Sequence, residues 1–208
     1  MVVYREAKKE DLTEIAALLT EAFHGYAFFD LYNPNKRKKQ YQFMHAIQDA
    51  NAKASFQRHI TLVGIRDNKI VSAAQLKAPD TPDVGFLDYV LAGGIRVLFT
   101  GGLFNTLGLL KMLDEASSIC HNLPGCVWYL SSLAVSKSCQ GQGLGSKMIT
   151  ECIIPYIRKR NGGLLTLITH SEQNRLFYKK NGFEEFHKMT ICKKGKELGN
   201  WSYRMKIG

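Results

Sequence analysis

The chain has 208 residues, 45% of them hydrophobic and 22% charged, enough apolar content for a core and too much for long disorder. Lysine and arginine number 28 against 18 acids, a formal charge of +10, which favours anionic partners. The basic runs, Lys36-Arg37-Lys38-Lys39, Arg158-Lys159-Arg160 and Lys193-Lys194-Gly195-Lys196, have no zinc-finger spacing or RNP-type aromatic motif beside them, which argues against nucleic acid as a partner. In chain order, residues 2–6 alternate as a short strand. Asp11 then predicts a helix cap, with Glu14 three residues on. Leu12, Ile15, Leu18, Leu19, Ala22 and Phe23 follow at helical spacing. Beyond an Asn33-Pro34-Asn35 break, Tyr41, Met44, His45 and Ile47 suggest a second helix. Residues 59–65 and 70–76, joined at Asp67-Asn68, read as an antiparallel hairpin. Residues 79–127 predict two helices, about 84–98 and 103–120, parted by Gly101-Gly102. Residues 127–135 are rich in β-formers and read as a central strand. A glycine-rich turn at 141–145 opens a helix that Pro155 is expected to kink or end near Ile154. A strand at 164–169, a helix at 172–181 and closing strands near 184–192 and 200–207 complete the order.

The most apolar stretch, 97–113, is broken by glycines and flanked by Arg96 and Lys111. It falls short of the roughly 20 apolar residues that span a bilayer, so no membrane partner is expected. The start, Met1 to Glu6, has no apolar run of a secretory signal. The five cysteines, Cys120, Cys126, Cys139, Cys152 and Cys192, are odd in number and form no C-x-x-C pair. They read as incidental thiols of a reduced, cytoplasmic chain with no metal.

The strongest chemical signal is a strand, then Gln140-Gly141-Gln142-Gly143-Leu144-Gly145, then a helix. Glycines let backbone amides approach an anion, and a helix N-terminus adds free N–H groups and a positive dipole end. The pattern suits a pyrophosphate, though a tight strand-to-helix connection would look similar. A Walker A loop needs G-x-x-x-x-G-K-[ST]; here Gly141 and Gly145 are one residue too close, and Ser146 stands before Lys147. A dinucleotide fingerprint needs G-x-G-x-x-G early in a βαβ unit, whereas this loop reads G-x-G-x-G after antiparallel strands. The pattern Q/R-x-x-G-x-G/A fits Gln140, Gly143 and Gly145 without adjustment.

Residues 128–183 resemble the cofactor-binding half of the GNAT superfamily of N-acetyltransferases. The run from Trp128 through Leu133-Ala134-Val135 to Gly145 is similar to the fourth strand and pyrophosphate loop. Asn174-Arg175-Leu176-Phe177-Tyr178-Lys179-Lys180-Asn181-Gly182-Phe183 is similar to the family's N-x-x-(L/F)-Y-x-x-x-G-F segment. The implied fold is α/β: a mixed, mostly antiparallel sheet flanked by helices in one domain over 1–208, with a helical insertion at about 79–127 between strands 3 and 4. The implied co-substrate is acetyl-CoA. Its pantetheine would pair with the backbone of Leu133, Ala134 and Val135 as an added strand, and the amide of Ala134 or Leu133 would polarise the thioester carbonyl. Gln140, Gly141, Gln142, Gly143, Leu144, Gly145 and Ser146 would hold the pyrophosphate. Asn174 and Phe177 would contact the cofactor, with a helix cap the competing role for Asn174. Tyr178 would protonate the leaving thiolate, which suits a phenol of pKa about 10; packing between helix and sheet is its other reading.

The resemblance implies acetyl transfer to a primary amine on a small molecule or peptide, and it allows a homodimer. A non-catalytic acyl-CoA-binding domain is the alternative. No carboxylate sits on the 127–135 strand to deprotonate the amine, so Glu21, His24, His121 and His170 are the candidate bases. The insertion is expected to cover the acceptor side, with a dimer interface or an extra packing layer as its other roles.

Overall fold

A computed structural model describes residues 1–32, 37–193 and 195–208, with backbone only at Arg37 and Lys38. The Asn33-Pro34-Asn35 break, Lys36 and Lys194 lie outside the described residues. Seven strands form one sheet in the order β1-β2-β3-β4-β5-β7-β6: Val3–Glu6, Ile60–Arg66, Lys69–Lys77, Val127–Val135, Gly163–Thr169, Glu184–Lys193 and Lys196–Ile207 for β1 to β7. Every neighbouring pair is antiparallel except β4 and β5, which are parallel. β3 is covered on both faces and buried from Ile70 to Leu76.

Helices α1 (Leu12–Phe23), α2 (Ala27–Asp30) and α3 (Arg37–Arg58) follow β1. On one face of the sheet, Ile15 and Leu19 of α1 pack with Val63, Ala73 and Ala134. On the other, Ile149, Ile153 and Ile157 pack with Leu62, Leu76 and Leu130. The segment between β3 and β4 holds α4 (Phe86–Tyr89), a π turn (Val90–Gly94), α5 (Ile95–Gly101) and α6 (Leu103–His121). Gly102 separates α5 from α6 at φ 80°, as the sequence indicates. Val97, Leu109, Met112 and Ala116 of this segment build a further core with Phe28, Phe43 and Ala50. The fit is close: a Cβ on Gly101 would lie 2.0 Å from the Phe43 ring.

Three local expectations are corrected. Asp11 is not a side-chain cap for α1. It accepts from Lys8 N–H at 2.6 Å and from Arg5 at 2.6 and 3.0 Å, stabilising a 3-10 turn one step earlier. Glu14 instead accepts from the Ile70 amide of β3 at 2.8 Å. Secondly, α3 is far longer than four periodic positions suggested, and Tyr41 and His45 point to solvent while Phe43, Met44 and Ala46 are buried. Its buried face is alanine-rich, which weakens the apolar signal. Thirdly, Pro155 does not end its helix. The chain runs on from α7 (Leu144–Lys147) through a π turn (Met148–Ile153) into α8 (Ile154–Arg158), with Pro155 in the first turn of α8. The wider turn changes the bonding partners just where proline lacks an amide donor. The last helix, α9, spans Glu172–Lys180.

Candidate active site

β4 and β5 are registered only at Val127–Leu164, Trp128–Leu165 and Tyr129–Thr166. Both strands continue past these pairs without bonding each other, so the sheet opens into a fork beyond Tyr129. At the fork β4 carries a bulge: Gln75 pairs with Ser132 and Leu76 with Leu130, leaving Ser131 over. Ser131 is solvent-exposed although it lies mid-sheet, and its hydroxyl donates to Gln75 O at 3.1 Å. A bulge at a sheet opening re-aims the backbone there.

The register fixes which peptide groups face the opening. Bonded and non-bonded pairs alternate along an antiparallel ladder. Ser136 N–H donates to Val71 O at 2.9 Å, so Ala134 also turns its peptide groups to its partner Ala73. Leu133 and Val135 therefore turn theirs away from β3, toward the fork. Of the two amides expected to polarise a carbonyl, Leu133 has the suitable direction and Ala134 is engaged with β3. Val135 O accepts from the Gln140 side chain at 3.2 Å, which ties the loop to the strand.

The loop after β4 is open. Gln140, Gly141, Gln142 and Gly143 are exposed; Gly141 and Gly143 both have φ 76°, and nothing lies within 4 Å of a Cβ built on either. Side chains at these positions would be strained and would fill the concavity. Helix α7 starts at Leu144 with no side-chain cap, so its first amides are free to meet an anion. Leu144 is buried as the anchor of that turn, with Ser146 half-buried beside it. Gly145 lies close under Phe177: a Cβ there would sit 3.1 Å from that ring, which would have to shift by a few tenths of an ångström. Arg66, which sequence reasoning missed, braces the loop from the end of β2. It donates to Gln142 Oε1 at 2.8 Å and to Cys139 Sγ at 2.9 Å. The concavity, the free amides and the opened strand edge together fit a pyrophosphate-bearing pantetheine ligand.

Helix α9 closes the other side of the fork. Ser171 is its cap, accepting from Asn174 N–H at 3.2 Å; the capping role considered for Asn174 falls to Ser171. Asn174's side chain interacts with the Tyr26 hydroxyl. Tyr178 is buried against Phe183, with ring centroids 5.4 Å apart, and against Tyr203 at 6.1 Å. Burial raises its pKa above the usual phenol value, with Tyr26 as its ionisable neighbour. Tyr129, at the root of the fork, is raised by burial too and has Tyr178 among its electrostatic neighbours. Tyr26 and Tyr129 are thus both electrostatic neighbours of Tyr178, the one phenol of the three singled out by sequence. Tyr26 has no motif around it, and Tyr129 lies in a strand pattern that reads as core.

The four candidate bases separate. Glu21 is exposed and lines a cleft of about 560 Å³ with Arg66 and Ser136, outside the fork. His24 is exposed and lies against Tyr41, centroids 5.6 Å apart. His170 is buried; its Nδ1 is 3.3 Å from the Tyr26 hydroxyl, and its Nε2 faces Asn200 without meeting hydrogen-bond geometry. Burial lowers its pKa to about 3, so it is a neutral, poorly basic structural group. His121 lies against Tyr129, centroids 4.4 Å apart, and lines a cavity of about 250 Å³ with Lys77, Thr81 and Tyr129. Burial first, and then Lys77, lower its pKa below the usual value. Among the described residues no cluster of three or more potential metal ligands occurs.

Residues 94–185 match the family described as acetyltransferase (GNAT) domain, and the matched stretch contains β4, the glycine loop and α9. Over that stretch the chain carries the match to a GNAT acetyltransferase domain. Comparison with curated protein sequences gave no match. Solved structures share the fold over almost the full length. A Corynebacterium glutamicum protein described as histone acetyltransferase HPA2 and related acetyltransferase is 20% identical, with a TM-score of 0.66 over 96% of this chain and 94% of that one. The Drosophila melanogaster polyamine N-acetyltransferase is 12% identical, with a TM-score of 0.62 over 99% and 100%. The Escherichia coli ribosomal-protein-S18-alanine N-acetyltransferase is 14% identical, with a TM-score of 0.59 over 100% and 95%. GNAT acetyltransferases transfer an acetyl group from acetyl-CoA to an amine.

Proposed function

We propose that this chain acetylates a primary amine by direct attack on acetyl-CoA, with Tyr178 as the acid for the departing thiolate. What supports this reading is the fork between β4 and β5, with an open glycine cradle at its mouth. When bound, acetyl-CoA supplies an activated acyl group. Gly141, Gly143 and the first amides of α7 hold its pyrophosphate, and Gln140, Gln142, Ser146, Asn174 and Phe177 line its path. Leu133 and Val135 offer main-chain groups to pantetheine, and the Leu133 amide steadies negative charge on the carbonyl oxygen.

The new N–C bond forms as the C–S bond breaks. Tyr178 gives its proton to sulfur as the thiolate leaves. The proton lost by the amine goes to His121, directly or through water, because its lowered pKa leaves the ring neutral near pH 7. Amine acceptors of the neighbours range from polyamine to ribosomal-protein alanine. Here the charge of +10 disfavours a polycation and leaves a small neutral amine or a peptide.

The test is release of free thiol from acetyl-CoA against a panel of amines, alongside calorimetric binding of CoA. Thiol release that depends on an amine supports the enzyme. Tight CoA binding with no release for any amine, peptide or small molecule, points to an acyl-CoA-binding domain instead.

A further inference from the structure

Helices α4 to α6 bury one side against α2 and α3 and leave the other to water. Along that outer side Leu87, Leu91, Ile95 and Phe99 recur every four residues and are 72, 81, 53 and 83% exposed. The stripe continues around the Gly102 turn to Leu103 and Phe104, the latter 89% exposed. A kink at Gly93, with φ 91°, divides these four positions between two helical pieces. Single exposed apolar residues need no explanation, but a continuous stripe of this kind marks an interaction surface.

The charge around the stripe is one-signed. Between Phe86 and Lys111 the sole carboxylate is Asp88, which Arg58 neutralises at 2.8 Å. Arg96 is exposed within the stripe and meets no carboxylate among the described residues. Lys111, one turn past Leu107, pairs only across 3.6 Å with the exposed Glu115.

We propose that this face docks on an anionic lipid bilayer: the stripe enters the interface while Arg96 and Lys111 meet the headgroups. Helices with a bulky apolar face and basic flanks lie in the plane of such an interface, and anionic leaflets attract the flanking cations. No described helix is long and apolar enough to cross a membrane, and interfacial docking needs no crossing. A second copy of the chain fits less well, because it brings the same unpaired Arg96 and a further charge of +10 against the patch.

The test uses the full chain in co-sedimentation with two vesicle types, phosphatidylcholine alone and phosphatidylcholine with one quarter phosphatidylserine. Binding is expected on the anionic vesicles, roughly tenfold weaker or more on the neutral ones, and falling with salt. The double variant Phe99→Asp/Phe104→Asp should lose vesicle binding while keeping its fold and its thermal shift with CoA, since neither side chain is buried. Arg96→Glu should weaken binding to anionic vesicles only. Absence of sedimentation with either vesicle overturns the proposal, as does equal binding by the double variant. Light scattering supplies the remaining arm: a wild-type dimer that the double variant turns into a monomer, without vesicle binding, assigns the face to a second copy.

Discussion

Tyr178 and His170 lie close in sequence and have opposite fates. Tyr178 keeps its proton because burial penalises the phenolate, which also makes it a weaker acid than a free phenol. Tyr178→Phe should preserve CoA binding, read as an unchanged thermal shift, and lower kcat by about 10²–10⁴-fold. Near-normal turnover in the folded variant would mean that water or Tyr129 supplies the proton. His170 shows burial acting on a base. Its pKa is about 3 in the fold against about 6.5 in an unfolded chain. The unfolded state therefore binds more protons in that window. Stability is retained above about pH 6.5 and is lost as pH falls toward 3. His170→Gln should flatten the fall of the melting temperature between pH 6.5 and 5. An unchanged slope would assign the acid sensitivity to other groups, among them His59 and His121, which burial also lowers.

The glycine loop works as an element: its geometry depends on β4 arriving from one side and α7 leaving on the other. Gly143 has φ 76° and open space around a virtual Cβ. Valine there meets backbone strain and intrudes on the ligand's place, even though no protein atom is struck. Gly143→Val should abolish the rise in melting temperature that CoA gives by mass action. A shift equal to wild type would remove the loop from the cofactor site. The loop was legible because its chemistry is local, a few glycines before a helix. The strand beside it was legible only in outline. Its composition indicates a central strand, but the choice of Leu133 over Ala134 depends on pairing with β3, which no local pattern encodes. The same holds for the π turn that accommodates Pro155.

Across the whole molecule, residues 79–127 pose the open question of what the added helices do. We propose that they cover the acceptor side, because α6 crosses β4 and brings His121 against Tyr129 at the root of the fork. Phe86→Ala should raise the KM for the amine and leave that for acetyl-CoA nearly unchanged. A change confined to stability or oligomeric state would make the segment structural. Tyr89 is a poorer probe, since it packs against the α2–α3–α6 core and its truncation disturbs the fold as well.

The sequence alone indicated the resemblance to GNAT acetyltransferases, the strand order along the chain and the glycine-rich turn before a helix. These depend on residues close in sequence, whose spacing carries the physics of turns, caps and helix faces. Only tertiary structure decided which histidine is buried, which amide faces the fork, and that Tyr26 and Tyr129 are electrostatic neighbours of Tyr178. It also turned the apolar stretch near 97–113, expected to be buried or to form a lid, into a helical hairpin with one side in the core and the other in water. Burial and convergence are properties of neighbours brought in from distant positions, so they appear only once the sheet has set its register.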